Sequence, residues 1–265
     1  MAIKLVAVDL DDTLLDKTTS VSPRARAAIR EAVKQGVTVT ISTGRMYQSA
    51  VRYARQLELD VPIITYNGAL IKSCFSEETF FQRPIEQETA TKVLTLFRER
   101  GWYIQSYIND VLYVDEINNR AQNYEKLASV KAYAIGEKLY TPQEGPLKML
   151  AIAEPKEIDC IRETLKSTFN GSICVANSKP TYLEIIDPTV NKGRALSFLA
   201  QKLNIGQQEI MAVGDSNNDL DMIQFAGFGV AMGNASDNVK AAAQAVTLRN
   251  DEDGVAEAIE KYVLR

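Results

Sequence analysis

Histidine is absent from the 265 residues of this chain. Its absence excludes any nucleophile that depends on a histidine base, such as a Ser–His or Cys–His pair, and any metal site with a histidine ligand. If the protein is an enzyme, its acid–base chemistry must therefore rest mainly on carboxylates, lysine or a bound metal.

Cysteine is scarce, and its three residues, Cys74, Cys160 and Cys174, lie far apart. Their number is odd and their spacing does not fit a metal site, so we expect small buried apolar side chains in a reducing cytoplasm. The sequence shows no basic and apolar leader, and no apolar run approaches the length of a membrane span. We therefore expect a cytoplasmic protein that does not act on a membrane.

Positive charge is not in surplus either. The chain has 30 basic and 34 acidic residues, which gives a formal net charge of −4. This balance argues against a broad basic surface and hence against nucleic acid as a partner. The length and the ordinary hydrophobic content allow a large buried core in one or two domains.

Strand and helix signals alternate at both ends of the chain. IKLVAVD, apolar on both faces, indicates a buried strand, and SPRARAAIREAVKQG indicates a helix with Ser22 as its N-cap. VTVTIST and PIITYNGALI are interpreted as the next two strands, the latter with a turn at Asn67 and Gly68. The alternation returns from KGRALSFLAQKL onward. It predicts an α/β fold with a three-layer, Rossmann-like parallel-sheet core.

The middle of the chain has a different pattern. Helix signals are separated there by pairs of successive strands, WYIQSYI with VLYVDE and SICVANS with TYLEIID. Adjacent strands joined by short turns predict an antiparallel sheet with helices on one face. We therefore expect residues 1–82 and 188–265 to form the core and residues 83–187 to form an inserted α+β domain.

Three aspartates, Asp9, Asp11 and Asp12, crowd into four positions after the first strand. Carboxylates this close repel one another, so either a cation holds them, the chemistry requires them, or they form a solvated acidic turn. Asp9 and Asp11 are two apart, and in extended chain they would point the same way at the carboxyl end of the strand. Open α/β sheets bind their ligands at that edge.

Other polar residues are expected at the same edge. Thr43 and Gly44 follow the second strand, Asp215 follows EIMAVG, and Lys192 lies at a predicted helix start. Each of these residues could instead have an ordinary structural role: Thr43 as a helix N-cap, Lys192 as a solvated lysine, and Asp215 as part of a turn. Together with Asp9 they could hold Mg²⁺ between two carboxylates and a phosphate against N–H, hydroxyl and ammonium donors.

The motifs DLDDTLL, ISTGR, NKGRAL and GDSNNDLDM occur in the order and context of the haloacid dehalogenase superfamily. The sequence resembles the Cof-like branch, whose phosphatases carry a large α/β cap inserted between the second and third motifs. YNGA and GVAMGNA also resemble that branch, and the resemblance covers the whole chain. It implies a hydrolase core with residues 83–187 as its cap, and a small phosphorylated metabolite as substrate.

The resemblance also implies roles for individual residues. Asp9 would be the nucleophile that forms an aspartyl-phosphate, and Asp11 would serve as acid and then as base, with its backbone carbonyl on Mg²⁺. Asp215 would be a metal ligand, and Asp219 would support the metal site. The residues that hold the phosphoryl oxygens would be Thr43, Gly44, Lys192 and Asn218. Arg45, Asn67 and Lys179 are expected to read the substrate, although the NSKPTY turn around Lys179 could equally be solvated.

Two alternatives to the phosphatase remain open. A phosphomutase similar to phosphomannomutase would share the cap, but Asp12 stands where the mutase motif has glycine. A receiver-like switch that accepts phosphate on Asp9 would need neither the insert nor Asp11. The natural substrate, which could be a sugar phosphate, pyridoxal phosphate or a flavin-related phosphate, and the oligomeric state remain open.

Overall fold

The structure, a computed structural model, describes residues 2–76 and 78–264. Contacts within the chain divide it into two compact units. The first unit comprises Met1–Gly44, Ala50–Phe81 and Asn191–Arg265, and the second comprises Arg45–Ser49 and Gln82–Val190. The assignment of residues 83–187 as a functional cap and of the remainder as a hydrolase core stays a prediction.

The strands and helices of the described residues are numbered in chain order. The strands are β1 (Leu5–Val8), β2 (Thr38–Ile41), β3 (Pro62–Thr65), β4 (Leu70–Ser73), β5 (Thr79–Gln82), β6 (Ile104–Ile108), β7 (Val111–Val114), β8 (Ala132–Ala134), β9 (Lys148–Ile152), β10 (Cys174–Lys179), β11 (Tyr182–Ile186), β12 (Ile210–Gly214), β13 (Phe228–Ala231) and β14 (Ala245–Val246). The helices are α1 (Pro23–Lys34), α2 (Tyr47–Gln56), α3 (Gln87–Arg100), α4 (Asn119–Ala128), α5 (Pro155–Thr168), α6 (Lys192–Lys202), α7 (Leu220–Phe225), α8 (Asp237–Ala242) and α9 (Gly254–Tyr262).

A parallel sheet in the order β14–β13–β12–β1–β2 forms the centre of the first unit. All four residues of β1 are buried, as its unbroken apolar run predicts for a strand covered on both faces. Leu5 and Ala7 pack into a cluster with Leu196 and Leu199 of α6, so Val6 and Val8 face the opposite side. The expected α/β class with a three-layer parallel-sheet core is confirmed.

Helix α1 begins as the sequence predicts. Ser22 is its N-cap and accepts a hydrogen bond from the Ala25 N–H, and Pro23 occupies the first helical position. The apolar stripe that includes Ala28 and Ile29 is buried, and the helix packs against β2 and α9. The periodicity therefore identified the element and most of its buried face, although Val33, which belongs to the same repeat, is 43% exposed.

The segment PIITYNGALI was expected as one strand interrupted by a turn, and it is an antiparallel hairpin of β3 and β4. The chain reverses because Tyr66, Asn67 and Gly68 all have positive φ, at 53°, 56° and 104°. A third strand, β5, completes a separate three-stranded sheet, and the sequence pattern did not reveal it. A single parallel bridge between Ser42 and Ile64 links β2 to β3.

The second unit contains a six-stranded sheet in the order β10–β11–β9–β6–β7–β8. Its neighbouring strands are antiparallel, except that β7 and β8 are parallel. Phe97 of α3 and Ile161 of α5 share one core cluster with Met149 of β9, so both helices cover the same face. The predicted antiparallel sheet with helices on one face is present, whereas α4 and β8 were not anticipated.

None of the described helices has both the length and the apolar character that crossing a membrane requires.

Candidate active site

Three strand ends of the parallel sheet place polar residues along one edge. Asp9 follows β1 and its N–H donates to the Val213 carbonyl at 3.0 Å, while the Ser42 N–H donates to the Val8 carbonyl at 2.9 Å. These bonds continue the sheet ladder by one residue beyond β1 and β2. The backbone at Asp9 and Ser42 is therefore held in place by hydrogen bonds to the neighbouring strands of the sheet.

Lys192 supplies a buried positive charge at this edge of the parallel sheet. It opens α6, where Asn191 is the N-cap and accepts a hydrogen bond from the Arg194 N–H. The Lys192 Nζ lies 2.6 Å from Asp9 Oδ1 and 2.6 Å from Asp219 Oδ1. Burial works to lower the pKa of this ammonium, but the Asp219 and Asp9 carboxylates outweigh it and raise the pKa above its ordinary value.

Asp219 is fully buried and fixed at both carboxylate oxygens. Oδ1 faces Lys192, and Oδ2 accepts from the backbone N–H groups of Asp215 at 3.1 Å and Ser216 at 3.0 Å. A Cβ added to Gly214 would lie 2.5 Å from the Asp219 Cγ, so only glycine allows this close approach. Asp219 therefore connects the turn after β12 to Lys192.

Asp215 lies beside Asp219, and its carboxylate accepts a hydrogen bond from Thr13. The Thr13 hydroxyl, which is buried, donates to Asp215 Oδ1 at 2.7 Å. Burial raises the pKa of the Asp215 carboxyl to about 7, against the hydrogen bond from Thr13, which lowers it. Sequence reasoning did not single out Thr13, whose only signal was its place four residues after Asp9 in the first motif.

Asp9, Asp215 and Asp219 form one carboxylate cluster. Each offers an oxygen, and these oxygens lie within 4.8 Å of one another. Burial is the largest cause that raises the pKa of Asp9 well above its ordinary value; Lys192 opposes it, and the neighbouring carboxylates add to it. Three carboxylates thus face one ammonium, and a hard divalent cation with oxygen ligands fits this shortage of positive charge.

Asp11 and Asp12 do not continue the strand. They lie in a turn over Leu10–Leu14, in which Asp11 has an extended backbone with φ −71° and ψ 131° and Asp12 has a left-handed φ of 56°. Both aspartates are exposed, whereas Asp9 is buried. The expectation that the Asp9 and Asp11 side chains point the same way stays a prediction; both residues have an extended backbone, and the Asp11 carboxylate is one of the charges that act on Asp9.

The side chain of Asn234 holds the backbone of this turn. Its Nδ2 donates to the Asp12 carbonyl at 2.7 Å, and its Oδ1 accepts from the Asn250 N–H at 3.0 Å. The Asn250 Nδ2 in turn donates to the Leu15 carbonyl at 3.0 Å. Two asparagines far along the chain therefore hold the part of the turn that follows Asp11, and sequence reasoning gave neither of them a role.

The residues expected to bind phosphate also come together. Thr43 is buried, and a Cβ on the adjacent Gly44 would lie 2.9 Å from Asn67 Oδ1. The Asn218 Nδ2 donates to the same Asn67 Oδ1 at 3.0 Å. Asn67 is 5% exposed and touches both neighbours, so the structure places it among the expected phosphate-binding residues.

Arg45 and Lys179 belong to the second unit. Arg45 directly follows Gly44 in the chain, and its Nη1 lies 3.4 Å from Ser49 Oγ. Lys179 is the exposed last residue of β10, and its Nζ lies 5.4 Å from the ring centroid of Tyr182. The substrate-reading role expected for both residues stays a prediction.

Comparisons with known proteins agree with this architecture. A family profile described as haloacid dehalogenase-like hydrolase matches residues 6–259. The 5-amino-6-(5-phospho-D-ribitylamino)uracil phosphatase YcsE of Bacillus subtilis is 33% identical, covering 99% of this chain and 96% of its own. Phosphatase YwpJ of the same organism is 31% identical, with 96% and 98% covered.

Solved structures give the same result. The crystal structure of a haloacid dehalogenase-like hydrolase from Bacteroides thetaiotaomicron matches with a TM-score of 0.90 and 31% identity, covering 98% of this chain and 99% of its own. The crystal structure of TM0651 from Thermotoga maritima matches with a TM-score of 0.88 and 33% identity, covering 98% and 97%. The chain therefore belongs to the haloacid dehalogenase-like hydrolases, in the Cof-like branch that its motifs resemble, and it is an enzyme of the phosphatase type.

Proposed function

We propose that the protein is a Mg²⁺-dependent phosphatase that hydrolyses small phosphorylated metabolites through an aspartyl-phosphate on Asp9. One observation carries this proposal: the buried Asp9 carboxylate lies 2.6 Å from Lys192, at a sheet edge where two further carboxylates gather. A carboxylate nucleophile also suits a chain that has no histidine. The cytoplasmic location stays a prediction.

Mg²⁺ would be held by the carboxylates of Asp9 and Asp215 and by the backbone carbonyl of Asp11. Asp219 suits a supporting role, because Lys192 and two backbone N–H groups already engage its oxygens. When bound, the ion would supply positive charge against the phosphoryl oxygens. The three-carboxylate cluster, with its single ammonium, supports this choice of a hard cation.

The chemistry divides into two displacements on phosphorus. An Asp9 oxygen forms a bond to phosphorus, the bond from phosphorus to the ester oxygen breaks, and Asp11 gives its proton to that oxygen as the alcohol leaves. Asp11, now ionised, takes a proton from water, whose oxygen attacks phosphorus and breaks the bond to Asp9. The Lys192 ammonium has three N–H donors, so one remains for the phosphoryl group after Asp9 and Asp219 are satisfied.

The substrate class we propose is a phosphate monoester of a sugar or a related polyol. YcsE, at 33% identity, is named for such a ribityl phosphate, which supports the class without fixing the compound. Pyridoxal phosphate and flavin-related phosphates belong in the same panel. Thr43, Gly44 and Asn218 would hold the phosphoryl oxygens whatever the alcohol, because each offers N–H or hydroxyl donors.

The test is phosphate release from p-nitrophenyl phosphate. We expect turnover with Mg²⁺, loss with EDTA and recovery when Mg²⁺ but not Ca²⁺ is restored, since the looser Ca²⁺ coordination would misplace the phosphate. Asp9→Asn should abolish turnover while the fold persists, and Asp159→Asn, which removes an exposed carboxylate of the second unit, should not. Substantial steady-state activity in Asp9→Asn would refute the covalent mechanism.

The same experiments separate the alternatives. A lasting phosphate on Asp9 without turnover would indicate a receiver-like switch. Transfer of phosphate to a second hydroxyl of a sugar phosphate, in place of release, would indicate a mutase.

A further inference from the structure

The turn between β3 and β4 has an unusual backbone. Tyr66, Asn67 and Gly68 are three successive residues with positive φ, and the first two are not glycine. Left-handed conformations are costly for residues with a Cβ, and a bulky residue such as tyrosine rarely adopts them. Tyr66 is fully buried and Asn67 nearly so, so the surrounding packing must hold the turn in this form.

This turn and the strand before it are hydrogen-bonded to Thr43, which follows β2. The Asn67 N–H donates to the Thr43 carbonyl at 3.0 Å, and the Thr43 N–H donates to the Ile64 carbonyl at 2.9 Å. The Asn67 carboxamide lies against Gly44, where an added Cβ would come within 2.9 Å of Oδ1 and 3.2 Å of Nδ2. Asn67 therefore limits where the Gly44 backbone can move.

Another side of the turn meets the start of α6. A Cβ on Gly68 would lie 2.5 Å from the Asn191 carbonyl oxygen, and Asn191 is the N-cap directly before Lys192. In addition, Asn67 Oδ1 accepts from the Asn218 Nδ2 at 3.0 Å. One three-residue turn thus touches the segments that carry Gly44, Lys192 and Asn218.

We propose that Asn67 is a positioning residue for phosphoryl binding, acting through Asn218 and Gly44 and not by reading the leaving group. Its Oδ1 engages one N–H of the Asn218 amide, which leaves the second N–H in a fixed direction. Donors that are fixed before the ligand arrives pay no reorganisation cost on binding. This role rests on the proposed function, and it replaces the substrate-reading role that the sequence suggested for Asn67.

The first test measures binding of inorganic phosphate to the full chain by titration calorimetry with Mg²⁺ present. Asn67→Gly removes the carboxamide but suits the left-handed φ of 56°, so the turn is kept. The matched control is Asn204→Gly, at an exposed asparagine with φ 54° in the turn after α6. We expect about tenfold weaker phosphate binding for Asn67→Gly, because the Asn218 donor and the Gly44 backbone would no longer be fixed before phosphate arrives, and no change for Asn204→Gly.

The second test separates positioning from a merely structural role. In an Asn218→Ala background, Asn67→Gly should weaken phosphate binding clearly less than the single variant does, because one of the two groups that it positions is already gone and only its contact with Gly44 remains. The Asn67→Gly single variant should also lower kcat/KM by the same factor for aryl, sugar and alkyl phosphates. Additive effects of the two substitutions, or a loss that depends on the alcohol, would overturn the proposal.

These outcomes are distinct from failure of the proposed function. A wild-type protein that binds phosphate with this coupling but releases none from any ester would refute the phosphatase and leave the role of Asn67 standing. A wild-type protein that hydrolyses esters but shows no coupling between Asn67 and Asn218 would refute the positioning role alone. Absence of phosphate binding by the wild type would also overturn the positioning role.

Discussion

At the scale of single residues, the exposed position of Asp11 suits a group that exchanges protons with an alcohol and with water. We expect Asp11→Asn to lower turnover of an alkyl phosphate by about 10²–10⁴-fold, the usual contribution of general acid–base catalysis. The loss in the first displacement should be much smaller for p-nitrophenyl phosphate, because nitrophenolate leaves without a proton. Single-turnover rates on the two esters give the comparison.

The neighbouring aspartate provides the control for this prediction. Asp12 is exposed in the same turn at a φ of 56°, a left-handed conformation that asparagine tolerates as well as aspartate does. Asp12→Asn should therefore change turnover of either ester by less than about threefold, since nearby surface charge is screened. Equal losses on both esters in Asp11→Asn would contradict the role as leaving-group acid.

Several features of the site could be predicted from residues near strand ends. The structure brings Asp9, Asp215, Asp219 and Lys192 together because parallel strands end at one edge, although their chemical roles stay predictions. Thr13 was missed because its contact with Asp215 depends on the turn after β1, and no periodicity encodes that turn.

At the scale of elements, a buried ion pair joins two strands of the second unit. Lys148 of β9 lies 3.0 Å from Glu184 of β11, and their side chains are only 2% and 10% exposed. Lys148→Met would remove the ammonium that faces the buried Glu184 carboxylate, so we expect a loss of about 3–5 kcal/mol in stability. Urea unfolding of the full chain, followed by a probe in the second unit such as Trp102 fluorescence, measures this loss.

An exposed pair in the same unit provides the comparison. Lys92 and Glu88 on α3 are 2.7 Å apart but 63% and 73% exposed, so Lys92→Met should cost less than about 0.5 kcal/mol. The double variant Lys148→Met with Glu184→Leu should recover most of the lost stability, because no buried charge remains uncompensated. A double variant as unstable as Lys148→Met would show that packing, and not charge, sets the cost.

Some of the strands and helices could be predicted from the sequence pattern, and others could not. The paired strands β6 with β7 and β10 with β11 were predicted because apolar runs and short turns encode them locally. Helix α4 was missed because it is largely polar and buries little more than Ala121 and Tyr124. The turn between β3 and β4 was predicted at Asn67 and Gly68, because both residue types tolerate a left-handed φ, whereas the left-handed φ of Tyr66 has no sequence signal.

At the scale of the whole molecule, the site depends on residues from both ends of the chain. Strand β1 lies between β2 and β12, and the contact between Thr13 and Asp215 spans 202 positions. The parallel-sheet rule predicts that the carboxyl ends of β1 and β12 meet at one edge, because it fixes strand direction without knowledge of any side chain, but it does not predict the contact of Thr13. A contribution of the second unit to the reaction stays a prediction, because it would depend on loops whose composition does not identify a ligand.

We expect residues of the second unit to determine substrate specificity. The core residues that we propose for the reaction address phosphate, metal or proton transfer, so discrimination among alcohols needs other side chains. Lys179, exposed at the end of β10 and beside the turn at Pro180, is our candidate. Lys179→Ala should change the relative kcat/KM values across a panel of sugar, polyol and pyridoxal phosphates.

The rate on p-nitrophenyl phosphate should barely move in that variant, because this ester offers an inserted loop little to contact. Lys166→Ala, which removes an exposed lysine from α5, is the matched control and should leave every ratio unchanged. A uniform loss on all substrates in Lys179→Ala would point to folding and not to selection. An unchanged panel would exclude this loop from substrate recognition, and Arg45, which directly follows Gly44 in the chain, would then be the next residue to test.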